Sequence, residues 1–122
     1  MPNGSPSPIV ELAPTVLRDR LAAGEPITLL DVREPDERAL AAIPAPATAG
    51  DLFIPMREIP GRLDAVRDAL ARGLVVAYCH HGVRSMHVAH WLAAQGLEGV
   101  LNLDGGIDAW STEVDQAVPR YS

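Results

Sequence analysis

Apolar residues fall along this chain in short continuous runs and in helically spaced stripes, and the two patterns alternate. Ile27 to Val32 and Leu74 to Tyr78 are near-continuous apolar runs, the pattern of strands buried on both faces. Val100 to Leu103 is a shorter run of the same kind, Leu52 to Ile54 predicts a brief strand, and Ile9-Val10 predicts a first one. Between these runs the spacing turns helical. Val16, Leu17 and Leu21 form one stripe behind Pro14, a residue tolerated in a first helical turn, and Gly24-Glu25-Pro26 ends it. Pro35 opens a short helix reaching about Leu40, and Ile59, Leu63, Val66 and Leu70 mark another that Gly73 terminates. Val88, Leu92 and Gln95 lie on a helix ending at Gly96, and Ile107 to Ser111 form a short last one after Gly105-Gly106. Ile43 to Asp51, with two prolines, reads as an irregular loop. Strands alternating with helices predict an α/β domain, its parallel sheet covered on both faces.

The length of 122 residues fits one domain, expected over residues 9–122, behind a flexible Pro-, Gly- and Ser-containing tail at residues 1–8. No apolar run approaches the roughly 18 residues of a membrane span, and Met1 to Pro8 lacks the charge and apolar stretch of a signal peptide. The expectation is a cytoplasmic protein without a membrane partner. A net charge of −6 argues against nucleic acid, whose phosphates need a basic face. There is no Lys, so Schiff-base and lysine general-base chemistry are excluded. The single cysteine excludes an internal disulfide and a multi-cysteine zinc site. A lone thiol in a reducing compartment is either inert core or a nucleophile.

The surroundings of that thiol favour the nucleophile. Cys79 comes at the end of the most strand-like run, where open parallel sheets bind their ligands. His80, His81, Gly82, Val83, Arg84 and Ser85 follow, and then a helix begins. A strand, a short glycine-containing loop and a helix N-terminus place inward-pointing N–H groups around the sulfur, which favours a thiolate and cradles an attached anion. Gly82 supplies the positive φ such a loop needs, and Arg84 adds a permanent cation at the rim. A core cysteine has no need of these neighbours.

Cys79-His80-His81-Gly82-Val83-Arg84-Ser85 resembles the active-site loop of the rhodanese family. Leu30-Asp31-Val32-Arg33-Glu34 with Glu37, the pairs Ile43-Pro44 and Ile54-Pro55, and Asn102 through Gly105-Gly106-Ile107-Asp108-Ala109-Trp110 resemble further blocks of that family in the same order. The resemblance runs from about Val10 to Trp110. It implies a five-stranded, mainly parallel sheet with helices on both faces. It also implies a sulfurtransferase in which Cys79 takes sulfane sulfur from thiosulfate or another persulfide donor. A thiol, cyanide or a protein acceptor then discharges it, with no metal or organic cofactor. Rival readings are a sulfur-relay carrier, an inert binding module, and a phosphatase. Four residues separate Cys79 from Arg84, where related phosphatases have five, and the shorter loop suits one sulfur atom better than a phosphate. Ala41-Ala42 stand where the family usually has Gly-His, so the segment around residues 41–51 is atypical.

The remaining polar residues divide between chemistry and support. Either His80 or His81 is a candidate cation or hydrogen-bond donor toward an incoming donor. Cys79, His81, His87 and His90 make a conceivable zinc set, disfavoured because the thiolate would have to leave its loop. Asp31 borders the crevice from its own strand end, and Arg33 is expected to pair with Glu37 one helical turn on. Ser85 is expected to cap the helix after the loop, and Trp91 and Trp110 to pack in the core and between helices.

Overall fold

The structure, a computed structural model, describes residues 8–122; apart from Pro8, the tail expected over residues 1–8 lies outside them. Five strands form one sheet: β1 (Glu11–Leu12), β2 (Ile27–Asp31), β3 (Gly50–Phe53), β4 (Leu74–Tyr78) and β5 (Val100–Leu103), in the order β1-β5-β4-β2-β3. Every pairing is parallel, so the sheet is wholly rather than mainly parallel. The helices α1 (Pro14–Ala22), α2 (Pro35–Leu40), α3 (Leu63–Arg72), α4 (Val83–Ala94) and α5 (Gly106–Glu113) connect or follow the strands, and a 3-10 helix (Met56–Gly61) precedes α3.

The two-residue period of β4 divides the core. Val75 and Ala77 face one way, onto Val66 and Ala69 of α3 and Val88 and Leu92 of α4. Val76 and Tyr78 face the other, onto Leu17 and Leu21 of α1 and Ile107 and Trp110 of α5. The next residue in register on the α3–α4 side is Cys79. Strand residues Leu29, Leu30, Val75 and Val76 are wholly inaccessible. Cutting one of the two leucines back to alanine costs about 2–5 kcal/mol at a site packed this way. Trp110 is buried as expected, whereas Trp91 is more than a third exposed. Among the described residues no helix is long and apolar enough to cross a membrane.

Two elements lie elsewhere than the sequence pattern placed them. The first strand is at Glu11–Leu12, not Ile9-Val10: it pairs Glu11 with Asn102 and Leu12 with Leu103. Val10 adds only its carbonyl to the ladder, accepting from the Asn102 N–H, while its side chain stays exposed. Leu12 is the buried member, and it is one of the pair's only two residues. Ile59 does not belong to the helix of Leu63, Val66 and Leu70. Pro60 brings no N–H to an α-helical ladder, so Ile59 is buried from the 3-10 helix and α3 starts afresh at Leu63.

The atypical segment after α2 is tied to β4 and β2. Ala41 and Ile43 are buried on the α1–α5 side, and the Ile43 N–H donates to the Tyr78 hydroxyl at 3.4 Å. The Ala41 carbonyl accepts from Arg33 Nη2 at 2.7 Å. This loop replaces regular structure with side-chain anchors.

Candidate active site

Cys79 follows the last residue of the central strand and is only 1% exposed. The chain must turn at once into α4, and Gly82 makes that turn with φ of 97° as the residue capping the helix. The turn brings three groups to the sulfur. Gly82 N–H donates to Cys79 Sγ at 3.1 Å, Ser85 N–H at 3.4 Å, and the Ser85 hydroxyl lies at 3.4 Å. These two N–H groups belong to the first turn of α4, where backbone donors lack helical partners and favour negative charge. The cradle expected from the loop is present.

Ser85 does not cap the helix. The cap is Gly82, so Ser85 lies inside the first turn with its side chain buried. Its hydroxyl meets Asn102 Oδ1 at 2.5 Å. The Asn102 amide is oriented by its other contacts, donating to the Gly82 carbonyl at 3.1 Å and to Glu11 Oε1 at 3.0 Å. Asn102 therefore holds the loop from β5, through the glycine carbonyl and through Ser85.

A second support comes from the Gly105-Gly106 turn. Ile107 N–H donates to the Cys79 carbonyl at 2.9 Å and Asp108 N–H to the His80 carbonyl at 3.1 Å. A Cβ on Gly106 would lie 2.5 Å from both carbonyl oxygens, and its φ is +63°. Only glycine permits this approach.

Arg84 is not a free cation at the rim. Its Nη1 and Nη2 donate to Glu37 Oε1 and Oε2 at 2.6 and 2.8 Å. This fork-to-fork pair raises the pKa of Arg84 and is the main reason that the Glu37 carboxyl falls to about 2. Glu37 also accepts from the Glu34 N–H at 3.1 Å in the first turn of α2. The expected Arg33–Glu37 ion pair does not form. Arg33 is wholly buried and pairs with Asp31 instead, Nε to Oδ1 and Nη2 to Oδ2, both at 2.8 Å. Burial opposes the Arg33 charge, but its bonds to Asp31 and Tyr121 outweigh that and raise its pKa. Asp31, also inaccessible, takes Arg38 Nη1 at 3.1 Å and the Tyr78 hydroxyl at 3.3 Å. Asp31 and Arg33 thus form an internal brace between β2 and the 41–43 segment, away from the sulfur.

The histidines form the mouth. The His80 ring is stacked between His81 (centroids 3.9 Å apart, planes at 28°) and Tyr121 (4.0 Å, 12°). His80 Nε2 is buried without a partner. Burial, then the neighbouring His81, lowers the pKa of His80 from the ordinary imidazole value, which disfavours its charged form. His81 is exposed, with Nε2 3.9 Å from Asp108 Oδ2. Asp108 itself is held by Arg120, through bonds of 2.8 and 3.1 Å, which lower its pKa. These residues and Tyr121 line an open depression of about 770 Å³. Val83 points outward, 64% exposed.

His80, His81 and Asp108 bring one potential metal-ligating atom each to within 4.8 Å of one another. The two imidazoles are stacked, so their in-plane lone pairs run side by side and do not converge on one ion, and Asp108 is engaged by Arg120. Among the described residues the set Cys79, His81, His87 and His90 is not brought together. Glu37 is legible in the sequence as an ion-pair partner, but of Arg33 rather than of Arg84. Asp108 is legible only as part of the block from Asn102 to Trp110, and Tyr121 and Arg120 carry no local signal toward this site.

Comparison with known proteins agrees with this geometry. A tRNA uridine(34) hydroxylase of Xanthomonas euvesicatoria is 36% identical over 111 residues, covering 84% of this chain and 43% of that protein. A sulfurtransferase of Allochromatium vinosum is 41% identical over 98 residues, covering 78% of this chain and 81% of its relative. This chain spans less than half the length of several curated relatives it matches. Among solved structures, the human single-domain sulfurtransferase TSTD1 superposes with a TM-score of 0.67 at 28% identity, over 88% of this chain and 97% of the human one. The sequence profile of the Rhodanese-like domain matches residues 13–113, and with the five-stranded parallel sheet and the Cys79 loop this makes the chain a member of the rhodanese family.

Proposed function

We propose that this protein is a sulfurtransferase in which Cys79 carries one sulfur atom as a persulfide. The observation that carries this reading is the cradle at the end of β4: a lone cysteine sulfur facing two backbone N–H groups. In the first step the Cys79 thiolate attacks the outer sulfur of thiosulfate, the sulfur–sulfur bond to the sulfonate breaks, and sulfite leaves with the electron pair. In the second step an acceptor thiolate or cyanide attacks the outer sulfur of the Cys79 persulfide. The acceptor leaves as a persulfide or thiocyanate and the Cys79 thiolate is restored. This is covalent nucleophilic catalysis in two balanced steps, needing no metal or organic cofactor.

The cradle supports the same charge in both states, since a persulfide anion occupies the space in front of the same N–H groups. A four-residue interval between Cys79 and Arg84 suits one sulfur atom. Asn102 and the Gly106 turn hold the loop from behind, so the sulfur is presented by a rigid scaffold. We place Asp31 and Arg33 outside the chemistry, as the brace beneath it. A protein acceptor uses the same second step, and the open depression beside His81 leaves room for its approach. A reducing compartment such as the cytoplasm keeps such a thiol free between turnovers.

Intact-mass measurement after incubation with thiosulfate tests the reading. The expected result is a gain of one sulfur atom, removed by dithiothreitol and absent from Cys79→Ser. Failure of thiosulfate and of organic persulfides alike to add sulfur overturns it.

A further inference from the structure

Beyond Glu113 the chain leaves α5 and returns across the mouth of the site, outside the stretch matched to the family. Buried Val118 accepts from the Ser111 hydroxyl, and Arg120 grips Asp108. Tyr121 then adds side-chain contacts between two structures that otherwise meet where Arg33 Nη1 reaches the Glu37 carbonyl at 3.5 Å and the Tyr78 hydroxyl reaches Asp31. Its hydroxyl donates to Glu37 Oε2 at 2.8 Å and accepts from Arg33 Nη1 at 3.0 Å, while its ring lies flat against His80.

Resting on the sulfur-transfer reading above, we infer that Tyr121 is a positioning residue for the chemistry at Cys79, acting through the His80 ring and the Glu37 carboxylate. His80 is the residue next to the nucleophile and borders the depression through which a donor arrives. A ring held between the faces of Tyr121 and His81 keeps one orientation, with Nε2 shielded from water. Removing one face frees it to rotate and to be hydrated. The groups around His80 are His81, Tyr121, Asp108 and Glu37, and burial is the largest influence on its charge.

The second path runs through the carboxylate. Glu37 divides Oε2 between Arg84 and the Tyr121 hydroxyl. The phenol thereby fixes the plane in which Glu37 meets the Arg84 fork, and Arg84 is the second residue of α4, between the cradle donors Gly82 and Ser85. Burial pushes the Tyr121 phenol up to about 12, so it remains a donor to Glu37 throughout the neutral range. Tyr121 thus links the Asp31–Arg33 brace under β2 to the cysteine loop after β4.

Two variants separate the two contacts. Tyr121→Phe keeps the ring and removes the hydroxyl; Tyr121→Ala removes both. The measurements are thiosulfate turnover against donor concentration and an NMR titration of the His80 ring in the full chain. For Tyr121→Ala we expect KM for thiosulfate to rise about tenfold while kcat changes less than about threefold. Its His80 curve moves to higher pH as the ring becomes hydrated. For Tyr121→Phe we expect an unchanged His80 curve and KM raised by about threefold. A His80 curve in Tyr121→Ala identical to that of the wild type overturns the inference, as does wild-type KM in both variants. If the wild type takes no sulfur at all, the sulfur-transfer reading fails instead, and the His80 curves still decide whether Tyr121 holds that ring.

Discussion

Arg84 and Glu37 stand 47 positions apart in sequence and meet as a two-point ion pair, with both guanidinium Nη atoms on both carboxylate oxygens. The fixed charge nearest the cysteine loop is therefore already neutralised. A negatively charged sulfur on Cys79 would face two backbone N–H groups rather than an unpaired side-chain cation, the Ser85 proton being given to Asn102 Oδ1. The electrostatics of the site are those of a helix N-terminus, with the arginine shaping the loop that displays it.

Arg84→Ala leaves the Glu37 carboxylate with the Tyr121 hydroxyl and the Glu34 N–H but without its main partner. We expect turnover to fall and stability to drop by about 1–3 kcal/mol, because the remaining half-buried charge loses charge-assisted bonds. Arg84→Lys restores only part of each, since a point charge cannot fill the fork. Denaturant unfolding alongside thiosulfate turnover measures both. Wild-type values for both in Arg84→Ala would show the pair to be incidental.

The same pair gives acid sensitivity with a definite sign. The Arg84 fork holds the Glu37 carboxyl down at about 2, well below the ordinary carboxylate value of 4.5. A depressed carboxyl contributes stability that is fully present above the unfolded value and is lost as pH falls through the folded one. The window is thus from about pH 5 down to about pH 2. Glu37→Gln removes this contribution, so its stability is expected to vary less with pH across that window than the wild type's. Parallel acid limbs in a plot of unfolding free energy against pH would contradict this.

Gly106→Ala places a methyl group 2.5 Å from the carbonyl oxygens of Cys79 and His80, at a φ that L-residues rarely adopt. The loop must retreat or α5 must shift. We expect a loss on the order of 2–4 kcal/mol from strain and displaced hydrogen bonds, together with slower sulfur loading of Cys79. Gly61→Ala, at a glycine with open space around it, serves as the control and is expected to load at the wild-type rate.

Asn102→Ala removes the amide that holds the Gly82 carbonyl and the Ser85 hydroxyl. Two buried groups lose a partner, costing about 1–3 kcal/mol each before relaxation. Sulfur loading is expected to slow by about tenfold as the cradle loosens. A folded Asn102→Ala protein that loads at the wild-type rate would place the control of the cradle in the backbone alone.

The α/β architecture with its parallel strands, α1 and the Cys79 loop are legible because continuous apolar runs, a first-turn proline and a strand–glycine–helix junction are local signals. The partners of the charged residues were not. Arg33 was assigned to Glu37 by helical spacing, but α2 begins only at Pro35, so Arg33 lies outside the helix on which that spacing has meaning. Its actual partner, Asp31, sits two residues back at the strand end. Ser85 read as a cap because serine commonly is one; a left-handed Gly82 takes that position and moves Ser85 into the first turn. Tyr121 reaches the site from far along the chain, and no local pattern announces such a contact.

The first N–H groups of α5 are bonded to the carbonyls of Cys79 and His80. The amide protons of Ile107 and Asp108 therefore exchange with solvent only when the carbonyls of Cys79 and His80 let go of them. Hydrogen exchange at these two positions is a clock for opening of the sulfur site, readable without donor, acceptor or turnover. Loading Cys79 with sulfur and following these two protons would reveal whether the persulfide tightens or loosens the loop that holds it.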